Sequence, residues 1–379
     1  MLNSKIFEKA LKIATSNLKE NYGKYGLYAN PYKFKNYWAR DSFITSYGCC
    51  ELKDFEIVRK NLDLFIEFQR EDGHIPARIE ESPHVFRSFG LNVGFKKLKA
   101  LDKQSQPWAS DVFDSNPWFI LSAINYFKVT KNKEWLVKNI SSLQKAYNWM
   151  LSKIDNTGLV NEGFTANWSD YSLRRGNLLY SNILFCQAIK EFEEVANNLN
   201  LEHNNFFESF KKQVVNKFWD DDLGYFLDRT IDKKNKYNYF YSDGNLLAIW
   251  FGIADNVKAK RIIKYINDNN LNVVSIPIGH PKLNYWNEVF NQLIFPIYRT
   301  KFSFLWLGCL LPICKKIAGL KEEAEKDLER IAEIIVKYNT CNEVVDNMGE
   351  PVDLGLLKSQ KKQAWTAGMY IVAYNELIK

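Results

Sequence analysis

A chain of 379 residues, 46% hydrophobic and 25% charged, has enough apolar material for one large folded unit and too much for a disordered one. The net charge of +7 arises from Lys and Arg dispersed among the acids, with short lysine clusters at 96–99 and 233–236 but no basic arm, so nothing supports nucleic-acid binding. No apolar run reaches the roughly 18 residues that span a bilayer, the start MLNSKIFEKALKIA is amphipathic, and Cys49, Cys50, Cys186, Cys309, Cys314 and Cys341 lack metal-ligand spacing. The expectation is a single unit over 1–379 in the reducing cytoplasm, with no metal, no cofactor and no membrane partner, and with the oligomeric state left open.

In chain order, the apolar spacing of Ile6, Phe7, Ala10, Leu11, Ala14 and Leu18 predicts a helix over 2–20. A polar and aromatic loop follows, then helices over 41–51 and 54–72. A long loop over 73–113 carries an expected short helix at 92–102. From there the pattern repeats: helices 115–130 and 133–154, a loop at 155–176, helices 177–199 and 202–218, then a loop with short strands over 219–241. Helices 243–254 and 256–269, a loop at 270–300, helices 302–318 and 321–338, a loop at 339–360 and a last helix over 361–377 complete the chain.

Links within each pair are short and links between pairs are long. Short links force antiparallel neighbours, so all the long loops leave from one end. The first helix of each pair is apolar all round and the second is richer in Lys and Glu, as inner and outer rings should be. The expected fold is all-α, a toroid of six inner and six outer helices with the long loops on one rim. An open solenoid is the alternative.

The unusual clusters fall on those loops. Trp38, Arg40 and Asp41 precede or open the second helix; Trp108, Asp114 and Trp118 surround the start of the fourth. Trp168, Asp170 and Tyr171 precede the sixth, Asp243 opens the eighth, and Trp286, Arg299 and Lys301 precede the tenth. Glu343 lies in the turn-rich loop before Trp365. Aromatic rings stack on sugars while carboxylates and arginines take paired hydroxyls, so this set reads as a glycan site. The blander reading makes Asp41, Asp114 and Asp243 helix N-caps and the tryptophans core.

Several segments resemble known enzymes. YWARDSFI (37–44) looks like the W-x-R-D-S/T segment of glucoamylases and of the glucosidase domain of glycogen-debranching enzymes. NEVVDNMGEPV with QAWTAGMYIVAY, within 342–374, is similar to their E-x-x-D-x-x-G-x-P…W-S/T-x-A segment. DSNPWFILSAINYF (114–127), FWDDDLGYFLDRT (218–230) and YSDGNLLAIWFGIAD (241–255) resemble segments shared with trehalases and processing glucosidases. The family fold is an (α/α)6 toroid. The resemblance implies an inverting glycoside hydrolase acting on an α-glucoside or related glycan, with Glu343 as base, Asp170 in NWSDYS as acid, and Arg40 and Asp41 clamping the terminal sugar.

The chain departs from that pattern in two places. The glucoamylase W-E-E acid segment is absent, and YRTKFSFLW (298–306) puts Arg299 and Lys301 where relatives carry a sugar-binding His and Asn. Two rivals therefore stand beside the hydrolase: an inverting phosphorylase on the same toroid, and an inactive glycan-binding or scaffold protein.

Overall fold

A computed structural model describes residues 4–83, 94–95, 97–104, 109–169, 174–203, 205–229, 239–281, 302–355 and 357–378. Twelve helices are present among them: α1 (Ser4–Lys19), α2 (Ala39–Glu51), α3 (Phe55–Glu67), α4 (Ser115–Thr130), α5 (Lys133–Leu151), α6 (Leu179–Asn198), α7 (Phe207–Phe218), α8 (Ser242–Trp250), α9 (Asn256–Asp268), α10 (Leu305–Ile317), α11 (Lys321–Tyr338) and α12 (Ala364–Leu377). The even-numbered helices pack in the order α2, α4, α6, α8, α10, α12 and back to α2, which closes a ring. The odd-numbered helices lie outside it. The fold is the expected (α/α)6 toroid, not an open solenoid.

Burial follows the sequence character of each ring. In the outer α11, the buried residues Ala324, Leu328, Ile331, Ala332 and Ile335 recur at helical spacing, and the one buried acid among them, Asp327, pairs with Lys315 of α10 at 2.9 Å. In the inner α12, every residue from Ala364 to Ala373 is buried. The ring closes where α2 meets α12: a Cβ on Gly48 would sit 2.4 Å from Gly368 Cα, so only glycine lets these two helices approach so closely. Asn17 of α1 reinforces the seam by accepting the Cys341 N–H at 2.8 Å.

Two of the expected short links are longer. Helix α7 starts at Phe207 because the Glu193 carboxylate of α6 accepts the N–H groups of Phe206 (2.8 Å) and Phe207 (3.2 Å), an N-terminal cap supplied from another helix. Helix α8 stops at Trp250, just before Gly252 takes a φ of +69°. The helix expected at 92–102 is not formed over 99–101. There Lys99–Leu101 (β3) pairs antiparallel with Arg78–Glu80 (β2), which also pairs with Tyr37–Trp38 (β1).

Similar two-residue strands prepare other inner helices. Phe240–Tyr241 (β6) pairs with Gly279–His280 (β7) ahead of α8, and Ser303–Phe304 (β8) pairs with Val344–Val345 (β9) ahead of α10. Trp219–Asp220 (β4) pairs with Tyr225–Phe226 (β5), and Asp353–Leu354 (β10) with Leu357–Lys358 (β11). Five inner helices consequently begin from an extended residue: Trp38, Leu178, Tyr241, Phe304 and Gln363. None of these makes a side-chain cap.

Candidate active site

The N-termini of the six inner helices share one rim, and side chains join them in a closed circuit. Arg40 of α2 lies with Nε 3.3 Å from Asp114 Oδ2, at the N-cap of α4. Tyr180 of α6 donates to the same Asp114 oxygen at 3.0 Å and accepts the Trp118 indole N–H at 3.1 Å. Trp168, ahead of α6, donates Nε1 to Asp243 Oδ2 of α8 at 2.7 Å. Its ring meets Trp306 of α10 edge-on at 5.7 Å, and Trp306 lies 5.7 Å from Trp365 of α12. Gln363 then returns to α2 by donating to Asp41 Oδ1 at 3.2 Å.

Asp41 and Asp243 are therefore not N-caps. Asp41 and Asp243 lie inside the first turns of their helices, and Asp114 holds the cap position of α4 without a side-chain cap bond. Burial pushes the Asp41 carboxyl up to about 6 against the pull of Arg40. Asp114 is raised by the same cause, again opposed by Arg40. Arg40 thus serves two buried acids from one position and offsets part of the cost of burying them.

Glu343 is held by its backbone. Its carbonyl accepts the Leu305 N–H of α10 at 3.0 Å and its N–H donates to Gln360 at 2.8 Å. The half-buried carboxylate takes the Gln360 N–H at 3.4 Å. Pairing of β8 with β9 brings this loop to the first turn of α10, close to Trp306. A carboxylate fixed on both sides of its Cα and left partly accessible suits a proton acceptor.

Asp170 and Tyr171 lie outside the described residues, as do Trp108, Trp286, Arg299 and Lys301. What anchors the chain on either side of 170–173 is visible. On one side Glu162, accepting from Ser181 and Asn167, fixes Asn167, whose Oδ1 accepts the Ser169 N–H at 2.9 Å. On the other side, the fully buried Arg174 pairs with Asp228 and reaches Asp243 Oδ2 at 3.2 Å. Its guanidinium also lies 4.1 Å over the Tyr241 ring.

Four of the expected contacts are enclosed: Asp114, Trp118 and Asp243 have no exposed surface, and Trp168 has 1%. Trp118 and Trp168 are turned inward because their indole N–H groups find buried acceptors, which sugar stacking would not require. Asp243 is spent on Trp168, Arg174 and the Gly244 N–H. Trp38 is held at 7% exposure with the Arg78 guanidinium 4.8 Å over its ring. Sequence reasoning did not single out Tyr180, Gln363, Glu162, Arg174 or Asp228; Asp228 and Gln363 lie in the quoted FWDDDLGYFLDRT and QAWTAGMYIVAY segments, and the other three carried no signal.

Residues 34–172 match the family model of the mannosylglycerate hydrolase MGH1-like glycoside hydrolase domain. The toroid is shared with a rhamnosidase from Klebsiella oxytoca solved with rhamnose bound: TM-score 0.72, 13% identity, covering 98% of this chain and 64% of that one. It is also shared with the GH63 mannosylglycerate hydrolase of Thermus thermophilus solved with Tris and D-glycerate: TM-score 0.70, 12% identity, 96% and 99% covered. A curated relative, the RecBCD enzyme subunit RecB of Borreliella burgdorferi, is 25% identical over 223 residues. That match spans half of this chain and 19% of RecB, and brings no activity with it.

The chain has the (α/α)6 toroid fold of these glycoside hydrolases, and its residues 34–172 match the MGH1-like glycoside hydrolase family model. That segment contains Arg40, Asp41, Asp114 and Asp170 but not Glu343.

Proposed function

We propose that this chain, as one catalytic unit over 1–379, hydrolyses a short α-linked glycoside with inversion at the anomeric carbon. The observation that supports the reading is the rim circuit, in which Arg40 meets Asp114, Gln363 meets Asp41, and Asp243 grips both Trp168 and Arg174 on either side of 170–173, with Glu343 on the loop that joins the start of α10. Asp170, protonated, gives its proton to the departing glycosidic oxygen. Glu343, ionised, takes a proton from the water that attacks the opposite face. Inversion calls for the two carboxyls roughly 6.5–9.5 Å apart, so that the water fits between. Arg40 and Asp41 hold the terminal sugar.

Substrate choice is the finer question. The α-glucoside suggested by the glucoamylase-like segments is one member of the class. The matched family model favours a sugar linked to a small hydroxy acid such as glycerate, and Arg299 and Lys301 supply cations suited to a carboxylate. A cytoplasmic location is supported by six buried cysteines, all unpaired; no described helix is long and apolar enough to cross a membrane. The test is a hydrolysis screen with mannosylglycerate, glucosylglycerate, maltose and trehalose, with and without phosphate, followed by NMR of the first-formed anomer. Hydrolysis to the inverted anomer supports the reading. Retention, a sugar phosphate product, or no turnover of any glycoside refutes it.

A further inference from the structure

Between Thr340 and Ala364 the chain turns back twice, each time around an aspartate. Asp346 Oδ1 accepts the N–H groups of Met348 at 2.9 Å and Glu350 at 3.0 Å, and Asp353 Oδ1 accepts that of Gly355 at 3.1 Å. These turns bring residues 351–352 and 359–360 alongside 343–345. The Val344 carbonyl accepts the Val352 N–H at 3.3 Å, and the Val352 carbonyl accepts the Ser359 N–H at 2.7 Å. The Val344 N–H takes a different kind of partner, the Ser359 hydroxyl, whose Oγ lies 2.9 Å away. Val344 has no exposed surface, so its N–H needs an acceptor supplied by the chain.

Ser359 is followed directly by the residue that holds Glu343. The Gln360 carbonyl accepts the Glu343 N–H at 2.8 Å, and the Gln360 N–H lies 3.4 Å from Glu343 Oε2. The Gln360 side chain turns away and donates to the Lys358 carbonyl at 2.7 Å, so these links to Glu343 run through its main chain. On the opposite side, the Glu343 carbonyl accepts the Leu305 N–H at the start of α10. Main chain therefore holds Glu343 from both sides, and the Ser359 hydroxyl fastens the 359–360 side to the residue next to it.

We infer that Ser359 is a positioning residue for the hydrolysis, its hydroxyl fixing the Glu343 carboxylate through the main chain of Val344 and Gln360. The inference rests on the reading of Glu343 as the base. Loss of the hydroxyl leaves the Val344 N–H buried without an acceptor, a cost that the segment relieves by moving. Glu343 is the adjacent residue and moves with it, relative to a sugar held by Arg40 and Asp41 on α2. A displacement of about 1 Å in a reacting group costs on the order of a hundredfold in rate. That loss falls on the activation of water and leaves sugar binding unchanged. Position 359 accordingly requires a short side chain with a hydroxyl, whereas Gln360 acts through atoms that every residue possesses.

The test is steady-state hydrolysis by Ser359→Ala, Ser359→Thr and Ser359→Val. The substrates are whichever of mannosylglycerate, glucosylglycerate, maltose and trehalose the parent turns over fastest, and the para-nitrophenyl glycoside of the same sugar. Ser359→Ala and Ser359→Val should lower kcat about 10–100-fold with KM within about twofold. Ser359→Thr, which has the shape of Val and keeps the acceptor, should stay within about threefold of the parent. The activated leaving group should rescue neither Ala nor Val, because its departure does nothing for the water. In a Glu343→Gln background Ser359→Ala should lower kcat no further, since a residue acting through Glu343 has nothing left to position. Thermal melting gives the folded fraction to which each kcat is referred. Equal rates for Ser359→Thr and Ser359→Val, or a Ser359→Ala loss that multiplies in full with that of Glu343→Gln, overturn the proposal and leave the base assignment standing. Near-normal hydrolysis by Glu343→Gln overturns the base assignment and this proposal with it.

Discussion

Trp168 donates its indole N–H to Asp243 Oδ2 at 2.7 Å, and Arg174 reaches the same oxygen at 3.2 Å. One carboxylate on α8 therefore grips the chain on both sides of residues 170–173. Asp243 acts as a positioning residue in the proposed mechanism, since it is fully buried and holds both Trp168 and Arg174. Asp243→Asn should lower kcat by about 10–100-fold, with KM changed little, because misplacement of a reacting group costs rate rather than uniform binding. Turnover of a glycoside with an activated leaving group should fall less. A purely structural residue would depress both substrates equally, and that outcome would count against the role.

Glu343 and Asp170 have opposite signatures in the proposed mechanism. Either Glu343→Gln or Asp170→Asn should cut turnover of a natural substrate by at least about a hundredfold, the usual size of a lost acid or base. An activated aryl leaving group should restore much of the Asp170→Asn rate, since it departs with little protonation. It should restore nothing to Glu343→Gln, whose defect lies in activating water. Near-normal hydrolysis by either variant would refute the assignment.

The ring was legible because each inner helix is apolar on every face while its partner shows a single stripe, and those two patterns alternate through the chain. The loop position of Glu343 was legible because NEVVDNMGEPV breaks helical periodicity shortly before an apolar helix. Glu162, Arg174 and Asp228 were not. Their significance depends on a partner from another element, as with Arg174 and Asp228, 54 positions apart, and a buried ion pair has no local pattern in sequence. Tyr180 sits among ordinary residues, and Gln363, although it opens the quoted QAWTAGMYIVAY segment, meets Asp41 only once the ring closes. Two-residue strands such as β6 and β8 fall below any periodicity, although they aim the first turns of α8 and α10. The start of α7 was misjudged for a similar reason, because Glu193 caps it from a neighbouring helix.

Arg40 is the shared counter-charge of two buried acids. Arg40→Ala should destabilise the fold by about 3–5 kcal/mol, the usual cost of leaving a buried partner unpaired. It should also weaken substrate binding, with KM rising more than kcat falls if the residue holds the terminal sugar. Arg40→Lys should recover much of the stability but less of the binding, because an ammonium cannot reproduce a planar fork. Equal recovery of both by Lys would reduce the role of Arg40 to charge alone. Chemical denaturation and steady-state kinetics on the same preparations measure the two effects.

Glu162 ties stability to pH. Burial pushes its carboxyl up to about 8, opposed by the hydrogen bonds from Ser181 and Asn167 and by the more distant Arg174. The folded chain therefore still holds this proton at pH values where the unfolded chain, with an ordinary value of 4.5, has released it. Where the folded state binds more protons, stability falls as pH rises. The stabilising contribution is complete below the unfolded value and is lost as pH climbs through the window up to about 8. Asp41, raised to about 6, acts in the same direction over the lower part of that window. Glu162→Gln removes the titration while keeping the shape and an oxygen that can accept from Ser181 or Asn167. The melting temperature of the parent should drop by a few degrees more than that of the variant between about pH 5 and pH 8, roughly what a change of one or two kcal/mol produces. At about pH 8 the variant should match or exceed the parent, and near pH 4 the parent should be the more stable. Thermal melts of both proteins across this range decide it: parallel curves would mean that Glu162 ionises in the folded chain as easily as in the unfolded one.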